Sequence, residues 1–122
     1  MLNSYDKVVN YLKSHKQLEY DIEFYRTKME GLKAISYSQE EKGTSMEDMM
    51  SVYMQKIEKA ENKQREIESF IENKFEGRAR VAIYKKYVEN QTLKEIGTDL
   101  NYAASYIARL IDMAIYSFLA KG

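Results

Sequence analysis

The stretch TLKEIGTDLNYAASYIARL, running from Thr92 to Leu110, decides the fold of this chain. Leu93, Ile96 and Leu100 fall on one face of a short helix, and Ile107, Leu110 and Ile111 fall on one face of a second. Asn101 and Tyr102 stand at the corner between them. Gly97 follows Ile96 on the inner side of the first helix, where a missing side chain lets the second helix cross closely despite a modest propensity cost. This spacing predicts a helix-turn-helix, a unit whose second helix enters the DNA major groove.

Immediately upstream, Val81, Ile83, Tyr84, Tyr87 and Val88 predict the apolar side of one more helix, ending near Glu89 and Asn90. Thr92 is a good N-cap for the next, with Glu95 three residues on to complete a capping box. Three helices are therefore expected, over about 78–89, 92–100 and 103–120. They make the minimal three-helix core of this kind of domain.

Further upstream the pattern changes. Val8, Tyr11, His15, Leu18, Ile22, Tyr25, Met29 and Leu32 recur at alternating spacings of three and four, a heptad seam on a long helix over about residues 2–35. Such a rod is on the order of 50 Å long and needs a partner helix to bury its stripe. The segment SYSQEEKGTS, Ser36 to Ser45, breaks the period, and Ser45 with Asp48 predicts a second helix start. A second seam follows at Met46, Met50, Tyr53, Ile57, Ala60, Gln64, Ile67 and Ile71. Two such helices joined by a loop of about ten residues fold back as an antiparallel hairpin, or else pair with another chain. His15 and Gln64 interrupt the seams as polar residues that set register or oligomeric state. Phe70, Phe75 and the run EGR at 76–78 close the second seam, with Gly77 as helix stop and hinge.

The expected architecture is all-α: an N-terminal, coiled-coil-like antiparallel helical hairpin over residues 1–76, for oligomerisation or partner docking, and a three-helix helix-turn-helix domain over 77–122. Composition agrees, with 122 residues, five Gly and no Pro to interrupt long helices. Cysteine is absent, which excludes a disulfide framework and a thiolate zinc site. No apolar run approaches the roughly 18 residues of a membrane span, and the start MLNSYDKVVNYLKSHK lacks the apolar core of a signal peptide, so a soluble, cytoplasmic chain is expected. Net charge is zero, from 19 basic and 19 acidic residues. Its distribution is more telling: residues 1–76 carry 12 Lys/Arg against 15 Asp/Glu, whereas 77–122 carry 7 against 4. Affinity for phosphate belongs to the C-terminal third.

The run RVAIYKKYVENQTLKEIGTDLNYAASYIARLIDMAI, from Arg80 to Ile115, resembles the domain with which bacterial sigma factors read the −35 promoter element. It resembles still more the ArpU-type regulators of phages and prophages in Gram-positive bacteria. The matching residues are Tyr84 and Tyr87, Leu93, Glu95, Ile96, Gly97, Leu100, Tyr102, Ile107, Arg109 and Leu110. The hairpin, with its polar SYS stretch, extends the likeness over nearly the whole chain. The resemblance implies a phage-encoded transcriptional regulator in a bacterial host cell, acting on double-stranded DNA without cofactor or catalysis. Ala103 departs from the family pattern, standing where a Ser caps the recognition helix.

Ala103, Ala104, Ser105, Tyr106 and Arg109 are the residues expected to face the groove, reading through Ser105, Tyr106, Arg109 and methyl contacts from the alanines. Lys85, Lys86 and Lys94 are expected at phosphates, against the simpler reading of a solvated charged face. Arg78 and Arg80 serve DNA or only solubility. Tyr102 or Tyr106 has the shape to stack on a base, while Tyr84, Tyr87 and Tyr116 are read as core residues, as is the cluster Met46, Met49, Met50 and Met54. With one His and no Cys, no metal site is expected. The carboxylate pairs Glu40 with Glu41 and Glu47 with Asp48 belong to a linker and a first helical turn rather than to acid-base machinery. No nucleophile elbow or phosphate-binding glycine loop is present, so a binding protein is expected rather than an enzyme. Its partners would be duplex DNA and a second copy of the chain in a homodimer. The competing reading is a phage module that keeps the fold but binds protein, with RNA polymerase, a host defence protein or a replication protein as target.

Overall fold

Alternating three- and four-residue spacing without proline leaves little besides helix for most of the chain to form. The computed structural model describes the backbone of residues 1–38 and 43–121 and the side chains of 1–34 and 46–121. Among the described residues there are five helices and no strand: α1 (Tyr5–Ser38), α2 (Gly43–Lys74), α3 (Gly77–Tyr87), α4 (Leu93–Leu100) and α5 (Ala104–Lys121). The helices enclosing the expected ten-residue loop run further than polarity suggested, to Ser38 and from Gly43. Ser45 thus lies within α2 rather than at its cap, and its side chain, with Glu40 and Glu41, lies outside the described residues.

The chain divides into two compact units, one of Met1–Lys16 with Arg65–Gly122 and the other of Gln17–Gln64. The boundary expected near Gly77 falls inside the first. In that unit the start of α1 runs antiparallel to the end of α2, since Tyr11 meets Phe70 edge to face at 5.2 Å and His15 Nε2 donates to Glu68 Oε2 at 2.8 Å. In the other, Gln64 Nε2 donates to Glu19 Oε1 at 2.8 Å and Tyr25 stacks on Tyr53 at 5.9 Å, again antiparallel. α1 and α2 thus make the expected hairpin. The two polar seam residues, His15 and Gln64, are buried, and each meets a carboxylate. A buried polar group costs stability unless so satisfied, and these pairings favour one register over its neighbours.

All the named seam positions are buried or half-buried. The first unit adds a stripe that heptad spacing did not reveal. Leu12 is fully buried together with Val8, Ile67, Ile71, Ala82, Ile83, Ile96, Ile107 and Ile115. Each such Ile or Leu contributes roughly 2 kcal/mol by leaving water. Several apolar and aromatic residues depart from the expected core. Tyr87 is buried, but Tyr84, Tyr116, Val81, Met49 and Met54 are exposed, while Met46 and Met50 are half-buried.

Tyr116 stacks on Tyr5 at 5.1 Å, and the Tyr5 hydroxyl donates to Asp112. That bond, then burial, then the nearby negative charge, hold the Tyr5 hydroxyl well above its ordinary value. Burial pushes Tyr11 and Tyr87 in the same direction. A raised folded value means the stabilisation is intact below about pH 10, where the unfolded tyrosine ionises, and is lost as pH climbs through the folded value. Melting temperature is therefore expected to fall steeply above about pH 10. Tyr5→Phe starts lower at neutral pH and declines less. Parallel curves for the two proteins above that pH would refute the assignment to Tyr5.

Candidate nucleic-acid interface

The corner between α4 and α5 is built from local chemistry. Thr92 Oγ1 accepts from the Glu95 amide at 3.1 Å, and the Thr92 amide donates to Glu95 Oε1 at 2.8 Å, which is the expected capping box. At the other end Asn101 adopts left-handed backbone, φ 65° and ψ 44°, a conformation that Asn tolerates better than most residues. The amides of Asn101 and Tyr102 both donate to the Gly97 carbonyl, the latter at 2.8 Å. The chain then leaves at a bend of 98° into α5. That angle is characteristic of a helix-turn-helix.

Gly97 earns its place at the turn itself, a sharper reason than helix crossing. A Cβ there would fall well inside van der Waals contact with the Tyr102 carbonyl oxygen and 3.4 Å from the Ala104 amide. Ile96, Ile107, Ile111 and Ile115 bury the inner faces of α4 and α5, and both helices pack on α3. α5 therefore presents its opposite side outward at its start. Ala103, Ala104, Ser105, Tyr106 and Arg109 are all exposed there. The Ala103 carbonyl accepts from the amides of Tyr106 and Ile107 at 3.0 and 3.1 Å, opening the helix through backbone bonds alone.

The cations expected at phosphates separate on inspection. Lys94 is exposed on the first turn of α4. Lys85 is held between Asp99, at 3.3 Å, and Glu89, at 3.7 Å, with its side chain 23% exposed. A phosphate would have to displace those carboxylates, so Lys85 is poorly placed for DNA. Lys86 lies 5.6 Å from the centre of the Tyr87 ring, half-buried.

One cation that the sequence left open between DNA and solubility lies beside the corner. Arg78, from the first turn of α3, sits 5.6 Å from the centre of the Tyr102 ring, which itself lies 4.5 Å from that of Tyr106. Arginine over an aromatic face keeps its charge and most of its donors available. The start of α5 thus has two arginines within its neighbourhood, Arg78 and Arg109. By contrast Arg80, though exposed, is tied back to its own chain, its Nε donating to the Phe75 carbonyl at 2.8 Å. Only the chance that a tyrosine one turn into the corner attracts a cation could have marked Arg78 beforehand.

No single helix among the described residues is long and apolar enough to cross a membrane. No family model matches the chain, and no curated protein or solved structure is detectably similar to it.

Proposed function

We propose that this protein is a DNA-binding transcriptional regulator of the phage type, in which α5 enters the major groove of duplex DNA. The observation that carries this reading is the exposed start of α5, projecting from a 98° corner with Ser105, Tyr106 and Arg109 outward. In this reading Ser105 and Arg109 reach base edges, Ala103 and Ala104 lie against thymine methyl groups, and the Tyr102 and Tyr106 rings fix the approach. Arg78, Lys86 and Lys94 meet the phosphates. Two copies, paired through the hairpin, would place two recognition helices on successive half-sites. The protein acts by binding, without cofactor or catalysis, in the cytoplasm of a bacterial host.

Selection from a random duplex library, followed by titration across salt, tests the reading. With about four phosphates neutralised, affinity is expected to fall on the order of a hundredfold between about 50 and about 200 mM salt. Arg109→Ala should weaken the selected site more than random duplex, by about 1 to 3 kcal/mol, whereas Lys94→Ala weakens both alike. Absence of any complex at low salt sinks the reading, and equal losses for the two variants sink the division of roles.

A second reading is favoured by the other side chains exposed along α5. Tyr106, Met113 and Tyr116 are 41%, 62% and 59% exposed, and aromatic and Met residues suit a protein interface. Here the helix-turn-helix would dock on RNA polymerase or a host defence or replication protein. Retention of a discrete partner from host extract after nuclease treatment, with no duplex bound at low salt, would select this reading over the first.

A further inference from the structure

In the unit of Gln17–Gln64, α1 and α2 share one seam, so each helix leaves most of its girth outside it. Charge on that outside is sorted by side. Lys28 Nζ lies 5.8 Å from the centre of the Phe24 ring and Lys56 Nζ lies 5.6 Å from that of Tyr25, which brings lysines of both helices to one flank of the seam. Helical spacing from Lys56 adds Lys59 and Lys63 to this flank in one direction and Val52 and Met49 in the other. On the opposite flank Arg26 Nη2 donates to Glu61 Oε2 at 3.3 Å and Gln64 Nε2 donates to Glu19 Oε1 at 2.8 Å. The same spacing adds Glu23 and Glu30 on α1 and Met54 and Glu58 on α2.

Between Glu19 and Lys33 on α1, and between Met49 and Lys63 on α2, every charged residue belongs to one flank or the other. The first flank holds four lysines against Asp21, and the second holds five glutamates against Arg26 and Lys33. The arm of a neutral chain thus carries +3 on one side and −3 on the other. Both flanks are also apolar in part, since Phe24, Val52 and Met49 are exposed on the basic one and Met54 on the acidic one.

We propose that this arm is a self-association surface, on which the basic flank of one copy packs against the acidic flank of the next. What covers the basic flank has to be acidic and to bring apolar groups of its own, and the acidic flank of a second copy meets both conditions. A two-fold contact of either flank with itself would set like charges together, so the contact is heterologous. Each copy then keeps one flank open, and the assembly grows beyond two unless it closes into a ring.

Exposed ion pairs contribute little one by one, so the attraction comes from the apolar side chains and from the aliphatic stems of lysine and glutamate around them. The charges decide which flank meets which. Contact with a ring does not remove Lys28 or Lys56 from that role, because an ammonium over an aromatic face keeps its charge. The bonds that Glu19 and Glu61 make likewise leave the net charge of their flank unchanged. The proposal deepens the pairing of copies through the hairpin given above and rests on that part of the reading alone, for DNA takes no part in it.

Sedimentation equilibrium of the full chain without DNA, at about 50 and about 500 mM salt, tests the proposal. At the lower salt the average mass should rise with concentration past that of two copies, and the association constant should fall on the order of tenfold at the higher salt. Lys59→Glu/Lys63→Glu turns the basic flank acidic, and Glu23→Lys/Glu58→Lys turns the acidic flank basic. All four positions are exposed and outside the seam. Each variant alone should stay monomeric. An equimolar mixture of the two should associate, because the unaltered flank of one meets the unaltered flank of the other. Should a reversal lower the melting temperature, the corresponding Gln pairs replace it and should weaken association in the same direction.

A wild type that stays monomeric at low salt overturns the pairing and leaves the separate DNA titration to decide its own question. Mass that levels off at two copies, association that the reversals leave unchanged, or a mixture that fails to recover overturns the heterologous contact. A monomeric chain whose affinity for duplex drops with Lys59→Glu/Lys63→Glu would give the basic flank to nucleic acid instead, and so overturns a second copy as its occupant.

Discussion

Gly97→Ala is expected to destabilise the protein by on the order of 3 kcal/mol, at the upper end of what overpacking costs. The added Cβ meets the Tyr102 carbonyl oxygen, which is backbone and cannot rotate aside as a side chain would. The corner itself has to open. Opening it pulls the Asn101 and Tyr102 amides away from the Gly97 carbonyl, so two hydrogen bonds weaken together. Urea denaturation measures the loss, and faster hydrogen exchange at the Tyr102 amide places it at the corner. Gly31→Ala is the control of opposite sign. Gly31 is exposed within α1 and a Cβ there meets nothing within 4 Å, so alanine should stabilise by about 0.5 to 1 kcal/mol through helix propensity alone. A mild or neutral Gly97→Ala would mean that the turn has slack this geometry does not allow.

Leu12→Ala is expected to cost about 3 kcal/mol, within the range found when a buried leucine leaves a cavity. The position is fully buried in the same unit as α3, α4 and α5. Its loss should therefore be felt far along the sequence. Protection of amides in α4 and α5 should decrease together with that of α1, as one cooperative transition. By the same reasoning residues 77–122 alone lack Val8, Leu12, Ile67, Ile71 and Phe75, all buried in the unit to which those residues belong. A fragment of 77–122 with cooperative melting at the temperature of the full chain would show that the helix-turn-helix has a self-sufficient core.

The reason Leu12 escaped a reading of the sequence is instructive. A heptad seam picks out one stripe, as two helices require, and Val8, His15, Ile22 and Leu32 obey it. Where α3 to α5 join the two ends of the hairpin, α1 has more than one neighbour to satisfy, and a residue beside the seam is buried as well. Local rules carried well wherever the partners were close in sequence. The Thr92 and Glu95 box spans only four residues, and the small residue at 97 could be seen as a requirement of the corner. The seam tyrosines could be placed by period, whereas Tyr84 and Tyr116 could not, since amphipathic rings are stable at either depth. The interface was legible in outline because residues 104 to 109 lie within the first two turns of a single helix, with Ala103 just before it. Its electrostatics were not. Whether Lys85 is engaged depends on Asp99, and whether Arg78 approaches Tyr102 depends on how α3 packs against the corner. Charge totals by segment carry none of this information.

The ring pair at the start of α5 has a spectroscopic consequence. The chain contains eleven tyrosines and no tryptophan, so its indole channel is empty. Tyr106 is 41% exposed and lies 4.5 Å from the Tyr102 ring. An indole placed at 106 would be the sole one in the molecule, set against one tyrosine ring on its inner side and open to whatever meets the helix on the other. Its emission would distinguish a nucleobase, which quenches, from an apolar protein surface, which shifts the band to the blue. The tip of α5 is thus a place where the molecule can be made to report the chemical nature of its own partner.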